Sequence, residues 1–125
     1  MDKTMEKIAK TANKVLQEYG KLIGQVRADW ESLSADERKI LFELVEVVLL
    51  NPDISPEALH RCWWELKSDL GWHLGDKYSA ARKTSLYLIP YDKLPPEIQL
   101  QNRLFIFWVR NITPLVVLER IKDYV

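Results

Sequence analysis

Few side chains in this sequence have types and spacing suited to chemistry. His60, Cys62 and His73 are its only soft metal-ligand candidates, and His60 and Cys62 stand two apart on what reads as a helix, so they point in very different directions. No metal site is expected from them. The acidic pairs Asp36/Glu37 and Glu43/Glu46 fall at solvating spacing on helix surfaces, without the converging surroundings that make one carboxyl an acid and its neighbour a base. The chain has only four glycines. It contains no phosphate-cradling glycine loop, serine elbow, two-histidine zinc motif or calcium loop. These readings predict a non-catalytic protein without a cofactor.

The aromatic and basic residues say more. On a helix turning about 100° per residue, Leu59, Trp63, Leu66 and Leu70 share one face with Cys62 at its edge. His60 and Lys67 then lie on the flank beyond Trp63, and Trp64 lies further round. Trp63 therefore faces the core and Trp64 does not. An indole outside the core, beside a histidine and a lysine, suits stacking on a flat ligand or anchoring a partner. The alternative is that the N-terminal helix or the loop after Gly71 covers it. Downstream, Lys77, Arg82 and Lys83 stand near Tyr78, Tyr87 and Trp72 in a loop-rich stretch. Rings that stack on a base and a guanidinium that forks to phosphate oxygens together specify a nucleotide-like ligand, although such groupings also occur on ordinary solvated surfaces.

The elements that must position these residues are mostly helices. From Met5 to Trp30, apolar residues at Ile8, Ala12, Val15, Leu16, Tyr19, Leu22, Ile23 and Val26 recur three or four apart, predicting a long amphipathic helix. That stripe packs onto its own domain or pairs as a short heptad seam, with a bend or close approach at Gly20 and Gly24. Ser34 to Glu37 has the form of a capping box and starts a second helix at Ala35, which carries Ile40, Leu41, Leu44, Val45, Val47 and Val48 and ends at Asn51 and Pro52. Ser55 and Pro56 start a third helix, and Gly71 stops it. A short extended or β segment is expected near residues 86–91. Pro95 and Pro96 open a last helical region with Leu100, Leu104, Phe105, Trp108, Val109 and Ile112 on one broad face, and Pro114 kinks or restarts it.

Composition sets the outer limits. A chain of 125 residues, 47% apolar, suffices for one domain with one core. We divide it into an N-terminal helix (1–31), a core (34–110) and a C-terminal segment (111–125). Eighteen basic and eighteen acidic residues leave no net charge to hold a polyanion, so nucleic acid is not an expected partner. The lone Cys62 cannot form an internal disulfide, and no secretory leader pattern opens the chain, so the cytoplasm is the expected setting. The apolar stretches at 104–109 and 112–118 are too short to span a membrane.

Spacing and residue types together resemble the ryanodine-receptor repeat domain family. The matching runs are HRCWWELKSDLGWHLG at 60–75, RKT at 82–84, LIPY at 88–91, LP at 94–95 and NR at 102–103. The family pattern has a histidine three before a tryptophan, then Gly-Trp-x-Tyr-Gly, a Lys-Lys-Thr-His-Pro-like run, Leu-Val-Pro-Tyr, Leu-Pro and Tyr-Asp-Arg. The chain departs from it at Asp76 to Ser79, in place of Pro-Val-Arg-Asp, at Ser85-Leu86, in place of His-Pro, and at Asn102, in place of an aspartate. The resemblance implies a small, mainly helical module, often paired, whose relatives bind adenine nucleotides against a tryptophan or occur in bacterial and phage defence. It implies Trp63 as a stacking platform, Arg82 and Lys83 near phosphates, Tyr87 and Asn102 lining the cleft, and Tyr78 in the place of a lost arginine. The function it implies is binding a nucleotide-derived signal, ADP-ribose-like or a cyclic nucleotide, with sequestration of that signal as its role, as a homodimer or higher homo-oligomer in the host or bacterial cytoplasm. The alternative is a protein-interaction module using the N-terminal stripe and Phe105, Phe107 and Trp108.

Overall fold

Local capping chemistry fixes where most of the helices begin and end. A computed structural model describes residues 3–122, with side chains to Val117. Helix α1 (Lys3–Leu22) buries Ile8, Ala9, Ala12, Asn13 and Leu16. It stops well short of the expected Trp30. Gly24 adopts a left-handed φ of 77°, and the Gln25 N–H reaches back to the Gly20 carbonyl at 2.8 Å, the long bond of a Schellman turn. Past this turn Val26 is fully exposed, so the apolar stripe does not continue. The chain then runs without regular structure to a 3₁₀ turn at Trp30–Ser32, capped by the Asp29 carboxylate.

Helix α2 (Ala35–Leu50) starts where the Ser34 hydroxyl accepts the Glu37 N–H at 3.1 Å. It buries Ile40, Leu41, Leu44, Val45 and Val48. Helix α3 (Pro56–Asp69) starts in the same way, with the Ser55 hydroxyl accepting the Ala58 N–H at 3.1 Å. It ends in a second Schellman turn, with Gly71 at φ 90° and the Trp72 and Gly71 N–H groups donating to the Lys67 and Ser68 carbonyls at 3.0 and 2.9 Å.

Two strands of two residues each follow, β1 (His73–Leu74) and β2 (Thr84–Ser85), paired in parallel with His73 opposite Thr84. They lie upstream of the 86–91 stretch where extended structure was expected. There the Ser85 hydroxyl accepts the Tyr87 N–H at 3.2 Å and turns the chain at once, and Tyr91–Lys93 form a 3₁₀ turn. Only glycine fits at Gly75, because a Cβ there would lie 2.6 Å from the Thr84 Cβ.

Helix α4 (Pro96–Lys122) passes Pro114 without a break or restart, so no boundary separates 110 from 111; residues 123–125 of the expected C-terminal segment lie outside the described residues. Proline costs this helix one N–H, but the ring is exposed and the turn before it carries an extra bond from the Thr113 hydroxyl to the Val109 carbonyl at 2.8 Å. Its packed face is Ile98, Phe105, Ile106, Val109, Ile112 and Val116. Leu100 and Trp108, expected on that face, are 46% and 39% exposed instead.

One core holds the helices together. Residues of α1, α2 and α4 form it, α3 adds Leu59, and each fully buried aliphatic side chain contributes about 1.5–3 kcal/mol. The α1 stripe therefore packs within its own fold. Tyr19 donates to the Glu97 carbonyl at 2.6 Å, and Arg110 donates to the Pro52 carbonyl, tying the helix ends. The protein is a mainly helical fold; among the described residues there is one minimal strand pair, and no helix is long and apolar enough to cross a membrane.

Candidate functional site

The first turns of α3 carry the side chains that form a ring-lined recess. His60 is 4% exposed, and its Nε2 lies 2.7 Å from the Ile89 carbonyl. A carbonyl can only accept, so Nε2 bears the proton. Burial lowers the imidazole pKa, partly opposed by the bond to Ile89, which keeps the ring neutral near pH 7. One face stacks on Trp63 at 5.4 Å and 23°, and tilted contacts of 6.0 and 6.2 Å reach Trp64 and Tyr91. Tyr91 is latched to α4: its hydroxyl donates to the Gln99 carbonyl at 3.2 Å, while the Gln99 amide donates to the Tyr91 and Leu94 carbonyls at 3.2 and 3.0 Å. Between these groups lies a half-open recess of about 350 Å³, lined chiefly by His60, Trp64, Tyr91, Glu57, Arg61 and Asp92. Two half-buried rings, one guanidinium and two carboxylates can take an aromatic base, a phosphate and a sugar diol.

The other end of α3 holds a second constellation. Lys67 is only 8% exposed, and its Nζ sits 3.9 Å from the centroid of the Trp72 ring. Tyr78 lies against Trp72 at 5.4 Å and 33°. Arg27, half-buried on the segment after α1, donates from Nε to the buried Asn13 side chain at 2.7 Å, and Asn13 donates onward to the Ala28 carbonyl at 3.2 Å. Burial lowers the pKa of Lys67, Glu37 opposes that shift, and the Arg27 charge adds to it. Burial raises the Tyr78 pKa, as does the neighbouring Glu37.

The residues named from the sequence are divided among several settings. Trp63 is half-buried against the core with one face taken by His60, so Trp64, not Trp63, lines the recess. Tyr78 belongs to the Lys67 cluster. Lys83, at φ 55°, donates its ammonium to the Leu70 carbonyl at 2.8 Å and so caps the end of α3. Arg82 is exposed on the turn closed by the Ser79 and Thr84 bridge. The Tyr87 hydroxyl accepts from Gln25 at 3.0 Å, and Asn102 donates to the Ile98 carbonyl within α4 at 3.1 Å. Among the described residues no ring contact or hydrogen bond joins Trp63 to the other five.

Helical spacing places Trp64 beside His60, as the ring contact at 6.0 Å has it, whereas the Lys67 ammonium lies over Trp72 and not against Trp64. Sequence reasoning missed Tyr91, which meets α3 only through the tertiary fold. Burial raises the Cys62 pKa, with Glu65 and Glu43 adding to it, so its thiol stays protonated. Among the described residues no group of three His, Cys, Asp or Glu side chains could hold a metal. A larger, shallower groove of about 780 Å³ runs along α1 past Lys7, Lys10, Lys14 and Trp30. Its Lys10 and Lys14 are well exposed and pair with Glu31 and Glu18 at 3.3 and 3.1 Å, the pattern of a solvated face. No protein-family model and no curated protein matches the chain.

Proposed function

We propose that this protein is a non-catalytic binding module for a nucleotide-derived small molecule, ADP-ribose-like or a cyclic nucleotide, held in the recess at the start of α3. The observation that carries this reading is the recess itself, with Trp64 and Tyr91 on either side of a buried neutral His60 and Arg61 at the rim with Glu57 and Asp92. The resemblance of residues 60–103 to ryanodine-receptor repeats supports the same ligand class and suggests sequestration of a defence signal as the role. The base stacks on Trp64 in place of Trp63, Arg61 meets phosphate, and a carboxylate accepts from ribose hydroxyls. A thermal-shift panel of ADP-ribose, its cyclised form, mononucleotides and a cyclic dinucleotide tests it. A ligand at about 100 times its Kd stabilises a fold by about 2.7 kcal/mol, so a binder raises Tm visibly. A flat panel on a folded protein overturns the reading.

A second reading, a protein-interaction module, is favoured by the outer face of α4. Leu100, Phe107, Trp108 and Leu115 lie within one stripe on that face, each 39% exposed or more. Sedimentation of wild type against Phe107→Glu tests it: a dimer that becomes a monomer supports it, and a wild-type monomer at high concentration rejects self-association.

A further inference from the structure

Of the residues that line the recess, His60 alone is buried, at 4% exposed; Glu57, Arg61 and Asp92 are exposed at its rim, and Trp64 and Tyr91 are half-buried. The ring nitrogens of His60 are used unequally. Nε2 donates its proton to the Ile89 carbonyl at 2.7 Å, which on a neutral imidazole leaves Nδ1 as a lone pair, an acceptor with no proton of its own. Among the described residues no N–H or O–H donates to Nδ1, although every fully buried side-chain nitrogen and oxygen among them has a partner. Nδ1 is therefore not sealed within the protein, and the open space that His60 lines is the recess. The ring is also held in place. A half-turn about its Cβ–Cγ bond would set a carbon in place of Nε2 against the Ile89 carbonyl, and Trp63 stacks on one face at 5.4 Å. The fold thus fixes a buried acceptor beside two aromatic rings and leaves it without a donor.

We infer that His60 Nδ1 is the specificity-determining acceptor of the recess and selects a nucleobase with an exocyclic amine, whose N–H donates to it while the base stacks on Trp64 or Tyr91. This deepens the recess reading and rests on it. The Trp64 and Tyr91 centroids lie 6.0 and 6.2 Å from that of the imidazole, so a base on either ring brings a substituent at its edge within reach of Nδ1. Stacking alone does not tell one base from another, because every base has a π-face. A fixed acceptor does. The amine of adenine, guanine or cytosine satisfies it, whereas a base edge without an N–H leaves the lone pair unpaired once water is displaced. The Glu57 and Asp92 carboxylates also accept, but they are exposed and keep their water when a ligand lacks the amine, so they discriminate less.

The test is calorimetric titration of the full chain with ADP-ribose and with the same molecule carrying unsubstituted purine in place of adenine, and with the corresponding pair of cyclic dinucleotides. Each pair differs only in the amine. Wild type is compared with Glu57→Ala, Asp92→Ala and His60→Phe, which keeps a flat ring against Trp63 and removes both nitrogens. Expected is that an adenine form binds wild type about tenfold or more tightly than its purine counterpart. That gap should persist in Glu57→Ala and Asp92→Ala, whatever their effect on overall affinity, and close in His60→Phe. Should His60→Phe fail to fold, a gap in wild type that survives both rim variants still supports the inference. Equal binding of the two forms by wild type overturns it and leaves the recess reading standing. So does a gap that closes in Glu57→Ala or Asp92→Ala, which places the acceptor at the rim, or one that stays open in folded His60→Phe. Absence of binding of every form by folded wild type overturns the inference and the recess reading together.

Discussion

The helical bundle and the segment from Gly71 to Pro95 are stabilised in different ways. The bundle buries aliphatic side chains of α1, α2 and α4 in one cluster, and its backbone bonds are local. The segment has two strands of two residues and is held by the buried Leu88 and Leu94 together with single polar contacts: Ile89 to His60, Leu70 to Lys83, Tyr87 to Gln25, and Tyr91 to Gln99. The recess forms where this segment lies on α3. The bundle supplies most of the buried aliphatic surface, and the segment supplies Tyr91 and Asp92 to the recess.

Substitutions can separate the two. The largest loss is expected in the bundle: Leu41→Ala, at a 2% exposed position, should cost about 2–5 kcal/mol in urea unfolding. Ligand responses of the folded fraction should be unchanged. Gly75→Ala acts on the segment alone, forcing a methyl to 2.6 Å from the Thr84 Cβ. It should cost about 1–3 kcal/mol, leave helical circular dichroism intact and raise hydrogen exchange over 72–85.

A smaller effect follows from pH. The His60 pKa in the fold is below its ordinary 6.5, so below that pH the unfolded chain binds the proton more readily than the fold does. Stability from this group is complete above about pH 6.5 and falls as pH drops through 6.5, at no more than about 1.4 kcal/mol per pH unit. In His60→Gln the urea midpoint should lose this slope between pH 7.5 and 5.5. Smallest of all, Lys14→Ala removes an exposed pair with Glu18 and should change stability by less than about 0.5 kcal/mol.

The same division explains what the sequence made legible. Ser34, Ser55, Pro56 and Gly71 act through bonds to residues a few positions away, so the boundaries of α2 and α3 could be read directly. Periodicity also separated Trp63 from Trp64. The end of α1 escaped because the apolar stripe continues in sequence past Gly24, where backbone geometry has already turned the chain. Leu100 and Trp108 misled because α4 is apolar on both of its faces, and only packing decides which one is buried. Tyr91 over His60 depends on a contact between residues tens of positions apart, which spacing along one element does not encode.

The most direct test of the central claim compares the two adjacent tryptophans. ADP-ribose, its cyclised form and a cyclic dinucleotide are titrated by calorimetry into wild type, Trp64→Ala and Trp63→Leu, with folding checked by circular dichroism. The account predicts that one of these ligands binds wild type, that Trp64→Ala folds and loses the binding, and that Trp63→Leu loses stability first and affinity less. Binding that survives Trp64→Ala, or no binding by folded wild type, would contradict it.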